Sequence, residues 1–332
     1  MSKAASQGQT APRPIPVYFA VLFLLLLVVL GFVLPKGARS LVIQMMIFSI
    51  LAMGYDLSLG FTNQCSLGHS VFFGGGAYGV IWAILHFKAG IFPSLFCSVL
   101  AGFLFALITG YISVRLSEAY FVIMTAIFFA VFHLLAMDLT WLTGGDDGLS
   151  VQLPLINLGF AKLSLYDPVV NYYFVLFFLI VSYLVLNRIA HSPLGKVFLS
   201  IRENEKRVQF LGYNVFRYKL AAFVLSGIFT ALSGGLYALA LRYTSADFFG
   251  FYWSIMPIVW CLIGGLGTLS GSWIGVVLMS IFQYYVSAWW TYYMILFGII
   301  ILFILRVSRK GILGYLMSTF SPSVPPPGRA EK

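Results

Sequence analysis

From Phe248 to Leu305 the chain runs 58 residues without one Asp, Glu, Lys or Arg. A bilayer core takes about 20 apolar residues per helix, and at about 1.5 Å rise per residue this run makes close to three crossings. The remainder has the same character. Of 332 residues, 61% are hydrophobic and only 9% charged, outside the range of soluble domains. So few charges cannot cover a soluble core of this size. The fold class that follows is all-α integral membrane: a polytopic helical protein.

The one long run of mixed charge is Arg188 to Lys219, with Arg188, Lys196, Arg202, Lys206, Arg207, Arg217 and Lys219 against Glu203 and Glu205. Apolar runs flank it on both sides. Basic loops between spans are retained in the cytoplasm, so this loop anchors the topology and offers a surface for a cytoplasmic partner. The net charge of +10 is then topogenic and directed to anionic lipid rather than to nucleic acid.

Ten spans are expected, about 17–34, 41–60, 66–86, 92–113, 118–137, 170–187, 219–241, 251–266, 269–287 and 290–306. Residues 1–16 read as a cytoplasmic tail, 17–310 as one transmembrane domain and 311–332 as a second cytoplasmic tail. With both termini inside, 15 Lys and Arg face the cytoplasm and 5 the other side, which the positive-inside rule favours. Within the domain, 188–218 is the cytoplasmic loop and 138–167 an extracytoplasmic one. Leu142–Ser150 (LTGGDDGLS) lies in the latter; it lacks the ligand spacing of an EF-hand and reads as a Gly–Asp turn. Cys65, Cys97 and Cys261 show no CxxC spacing and read as packing residues. His86 and His133 are expected to pack or to sit at boundaries.

Two segments interrupt the apolar pattern: Gly54–Gly79, where Asn63, Gln64, Ser66, Gly68 and His69 gather, and Gly264–Gly275. Irregular backbone at membrane depth is tolerated where it is buried in protein or lines a wet cavity; close helix contact through small residues is the other reading. The five residues of the first segment are the pathway candidates. Under the ten-span topology the groups 41–137 and 219–306 would be inverted repeats. Asp56, an acid inside an apolar segment, is either a functional group or a residue that lies near an interface or caps a broken helix end.

Several pieces together resemble the LivM-type permease of branched-chain amino acid ABC transporters. They are Ser66-Leu67-Gly68-His69 with Phe72, Phe73 and Gly76-Ala77-Tyr78; Leu142-Thr143-Gly144-Gly145 before Asp146-Asp147-Gly148-Leu149; and Ile201-Arg202-Glu203-Asn204-Glu205 with Leu211-Gly212 and Arg217-Tyr218-Lys219. The resemblance covers about Gln44 to Val277. The related urea-type permease shares much of it, including a basic loop ending in Phe-Leu-Gly-Tyr, here Phe210–Tyr213. The resemblance implies that the central loop is the coupling segment that docks in a cleft of an ATPase. Arg202, Glu203, Glu205, Leu211 and Gly212 are its candidate residues, with Glu205 and Gly212 at the family's spacing. Lys206 and Arg207 depart from the alanines commonest there.

Independently of that resemblance, helical phase places Ile201, Val208 and Leu211 on one apolar stripe, and Gly212 suits a left-handed C-terminal cap. No GxxxxGK[ST] loop is present, so this chain is expected to be no enzyme and to carry no cofactor, ATP-Mg being bound and hydrolysed in partner subunits. The partners implied are a second permease, two cytoplasmic ATPases and an extracytoplasmic binding protein, in a bacterial inner membrane. A urea or short-amide ABC permease and an ion-coupled secondary transporter are the alternatives.

Overall fold

A computed structural model describes residues 27–157 and 162–289, with isolated positions at Tyr292, Ile295 and Gly298. The expected tails, the span 290–306 and most of the span 17–34 lie outside the described residues. The helices are α1 (Lys36–Thr62), α2 (His69–Phe87), α3 (Ile91–Ser113), α4 (Glu118–Asp138), the single turn α5 (Thr140–Thr143), α6 (Pro168–His191), α7 (Pro193–Phe210), α8 (Val215–Leu241), α9 (Phe251–Gly264) and α10 (Leu269–Trp289). Seven of these, among the described residues, are long and apolar enough to cross a membrane. Helix α9 has 14 residues, about 21 Å at 1.5 Å each. That is about two-thirds of a crossing, so the expected span 251–266 is found as a short helix followed by a break.

Local chemistry explains the boundaries. Pro168 opens α6 behind Asp167, whose carboxylate accepts the Val169 N–H at 2.8 Å. Pro193 opens α7 behind Ser192 in the same way. Pro supplies the helical φ and lacks a donor that would go unused at this position, while the preceding polar side chain caps the exposed amides. Helix α1 ends at Asn63, in the left-handed conformation at φ 57°, which Asn tolerates better than most residues. The irregularity expected across Gly54–Gly79 is thus confined to Asn63–Gly68, with regular helix on both sides.

Helices α1, α2 and α8 form the interior, α8 packing against α1, α2 and α3. About 70% of the apolar window is buried in α1 and α2 and 17% in α4, so α4 lies at the periphery. Small residues permit the interior contacts: a Cβ on Gly76 would strike the backbone of Ala231, and one on Gly234 the carbonyl of Phe73. Interhelical hydroxyl bonds add to them, from Ser98 to the Ala231 carbonyl and from Ser233 to the Ile47 carbonyl, each at 2.8 Å. Lipid offers no hydrophobic drive between helices, so close packing and such hydrogen bonds hold them. Outward, Phe96, Ile108, Ile123, Ile127, Leu134 and Phe177 are exposed, a surface for lipid or another subunit rather than for water.

The two ends differ. At one, Leu142–Ser150 forms turns with Gly144, Gly145 and Gly148 at positive φ, and the two-residue strand β1 (Leu149–Ser150) pairs with β4 (Tyr243–Thr244). A second small pair joins β2 (Ile156–Asn157) to β3 (Lys162–Leu163). Tyr78 Oη and Trp82 Nε1 donate to the Thr143 and Leu142 carbonyls. The Gly–Asp stretch is therefore a turn, as its composition suggested. At the other end lie Asn63–Gly68, Val114–Ser117, α7 and the α9–α10 break, joined by the contacts described next.

Candidate functional site

Helix α7 is kinked. Asn204 leaves helical conformation at φ −160°, ψ 96°, and its Oδ1 accepts the Arg207 N–H at 2.9 Å. Asn204 thus ends one helix and caps the next, a role its short amide fills well. The expected stripe divides. Ile201 and Val208, on either side of the kink, are buried with Val215 and packed on by Val197 and Tyr218, but Leu211 is 71% exposed and Phe210 91%. The stripe reading of Leu211 is corrected: Leu211 follows the last helical residue, Phe210, and at the turn closed by Gly212 both side chains project outward. Gly212 has φ 87°. Its N–H reaches the Gln209 carbonyl at 2.9 Å and the Tyr213 N–H reaches Val208 at 3.3 Å, a Schellman closure with glycine in the left-handed place. A groove of about 550 Å³ runs beside this tip, lined by Leu194, Val197, Val208, Leu211, Tyr213 and Tyr218 among others.

Two side chains tie this segment to the spans. Glu205 pairs with Lys219 of α8 at 2.6 Å. Arg202 points the other way, inward, and its Nη1 donates to the Gly60 carbonyl near the end of α1. One turn earlier on α1, Asp56 is fully buried, and its Oδ1 accepts the Gly267 N–H at 2.9 Å. Gly267 belongs to the α9–α10 break and has φ 76°. Three elements far apart in sequence therefore converge: α7 through Arg202, α1 through Asp56 and Gly60, and the break through Gly267. Asp56 and the Gly264 stretch each stand out in the sequence, but only the fold brings them together. Glu203 is exposed, with Lys206 and Arg207.

The pathway candidates divide. Asn63 and Gln64 line a cavity of about 320 Å³ with Cys65, Val114, Glu118, Phe121 and Lys219, and Asn63 Nδ2 donates to Glu118 at 3.2 Å. Ser66, Gly68 and His69 lie in the packed interior. Tyr55 Oη donates to the Ser66 carbonyl at 2.8 Å, and a Cβ on Gly68 would meet the Thr125 carbonyl. The His69 ring sits among Tyr55, Phe72 and Phe223, with Nε2 2.7 Å from Ser226 Oγ. Glu118 and Lys219 were not among the pathway candidates. The available signal was Glu118 itself, one of only ten acids in the chain, placed directly at a helix start. Among the described residues no group of His, Cys, Asp and Glu could hold a metal ion, and the three cysteines are unpaired.

Residues 37–305 match the family described as branched-chain amino acid transport system / permease component. Two relatives, from Salmonella typhimurium and Escherichia coli, are named high-affinity branched-chain amino acid transport system permease protein LivM. Each is 27% identical over 93% of this chain and 77% of its own length. A third, from Methanocaldococcus jannaschii, is named probable branched-chain amino acid transport permease protein LivM and is 28% identical over 42% of this chain and 45% of its own. No solved structure matches. With most of its length matched and its apolar helices in place, the chain is a multi-pass membrane protein that belongs to the branched-chain amino acid transport permease family.

Proposed function

We propose that this chain is a transmembrane subunit of a binding-protein-dependent ABC importer for branched-chain or related amino acids, in which the α7 end faces the cytoplasm and docks an ATPase. The observation that carries this reading is the segment from Asn204 to Gly212. It presents exposed Phe210 and Leu211 outward, while Lys219 and Gly60 hold its base to the spans. An exposed apolar tip on an otherwise charged loop fits a partner groove, and one anchored to two helices can pass on a partner's motion. Arg115 and the seven basic residues of the central loop lie at this end, which supports its placement in the cytoplasm and both termini there with it.

The complete transporter would contain a second permease, two ATPases that hydrolyse ATP-Mg, and an extracytoplasmic binding protein, in the inner membrane of a bacterium. Each nucleotide state of the ATPases would favour one arrangement of α7. Glu205, Leu211 and Gly212 shape the docking surface, Glu203 borders it, and Asn63 and Gln64 line the cytoplasmic mouth of the pathway. Ser66, Gly68 and His69 would form its closed stretch, a role their burial supports.

The test is reconstitution of the full complex in proteoliposomes. Uptake of labelled leucine that requires ATP and the binding protein is the expected result. Uptake of urea in its place would move the chain to the amide class. Uptake by this chain alone, driven by an ion gradient, would overturn the ABC reading.

A further inference from the structure

Arg202 differs from its neighbours on α7 in where it points. Glu203, Lys206 and Arg207 are exposed, but the Arg202 guanidinium enters the spans, donating to the Gly60 carbonyl and lying against Gly267. The site it enters is crowded. A Cβ on Gly60 would collide with Asp56 Oδ1 and the Gly267 amide, so the two backbones and the carboxylate already touch. Asp56 is fully buried with one oxygen held by Gly267. Its other oxygen, Oδ2, makes no hydrogen bond of full geometry among the described residues, with the Ser272 hydroxyl beside the carboxyl.

A buried carboxylate with one unmet oxygen is costly. A guanidinium carries five N–H donors in a rigid fork suited to a carboxylate. Asp56 and Gly60 are four residues apart on one helix, so they share a face about 6 Å apart.

We infer that Arg202 is a positioning residue with two stations, the Gly60 carbonyl seen here and the Asp56 carboxylate one turn deeper, and that its passage between them conveys movement of α7 to the α9–α10 break. In the second station the fork meets Oδ2 directly. Because Oδ1 is bonded to Gly267, the carboxylate then links α7 to the break directly rather than through the α1 backbone. The proposal rests on the reading of α7 as an ATPase-docking segment and assigns the inward half of that coupling.

The experiment uses the complete reconstituted complex and measures three quantities: ATPase retained on purification, ATP hydrolysed, and leucine taken up per ATP. Arg202→Gln and Asp56→Asn should each retain the ATPase and its hydrolysis, while uptake per ATP falls about tenfold or more. The double variant should be no worse than the worse single one, because both remove one contact. Arg202→Lys keeps the charge without the fork and guards against a variant that fails to fold; its coupling should fall between. A general structural role would lower assembly and hydrolysis together without changing the ratio. Unchanged uptake per ATP in both Arg202 variants, or losses that multiply in the double variant, would overturn the inference. Lack of ATP-dependent uptake by the unsubstituted complex would instead remove the functional reading on which it stands.

Discussion

Gly267 and Gly212 both hold left-handed backbone, at φ 76° and 87°, yet their surroundings set different tolerances. At Gly212 a Cβ would meet nothing within 4 Å; at Gly267 it would strike the Arg202 guanidinium at 2.6 Å and the Gly60 carbonyl at 3.0 Å. Left-handed conformation costs a non-glycine residue about 1–2 kcal/mol. Gly212→Ala should therefore lose about that much, and Gly267→Ala should lose more because it adds the collision. Thermal unfolding of the two purified variants in detergent compares them, and equal midpoints would contradict the crowding described at the break. The sequence disclosed that glycines cluster at Gly264–Gly267; it could not disclose that Asp56 and Arg202 close on one of them. Contacts between residues some 60 to 210 positions apart leave no trace in local spacing.

At the scale of elements, sequence patterning and structure agree where apolar length decides. The expected 92–113, 118–137 and 219–241 correspond to Ile91–Ser113, Glu118–Asp138 and Val215–Leu241. They part where a single side chain redirects the backbone. Asn204 turns one α7 helix into two, yet Ile201 and Val208 keep one buried face across it; Leu211 leaves that face because the helix has already ended at Phe210. Asn204→Ala removes the cap and should cost the second half of α7 about 1 kcal/mol. Hydrogen exchange should then quicken at Glu205–Gly212 and not in α8; uniform protection across the segment would deny Asn204 its capping role. At the tip, Phe210→Ser should leave the melting temperature unchanged, because the ring is exposed, yet weaken ATPase retention about tenfold. Full retention would place the docking surface elsewhere.

For the whole molecule, the class was legible from composition, since 61% hydrophobic residues with 9% charge leave a membrane as the only solvent that suits the surface. The short α9 and its break were less so, because glycines within an apolar run signal close packing and interruption alike. Peripheral α4 supplies a test of the bilayer placement: Ile127 is exposed, and Ile127→Asp should add about 3 kcal/mol to insertion and reduce the membrane-integrated fraction, whereas an exposed position facing water would accept the charge. The proposed function requires the α7 tip to meet the cytoplasm, where an ATPase can grip it. A membrane-impermeant thiol reagent applied to Leu211→Cys, in a background with Cys65, Cys97 and Cys261 replaced by alanine, reads the side on which the tip lies. Labelling in inside-out vesicles and none in intact spheroplasts is the expected result; labelling in spheroplasts would place the tip outside and rule out ATPase docking there.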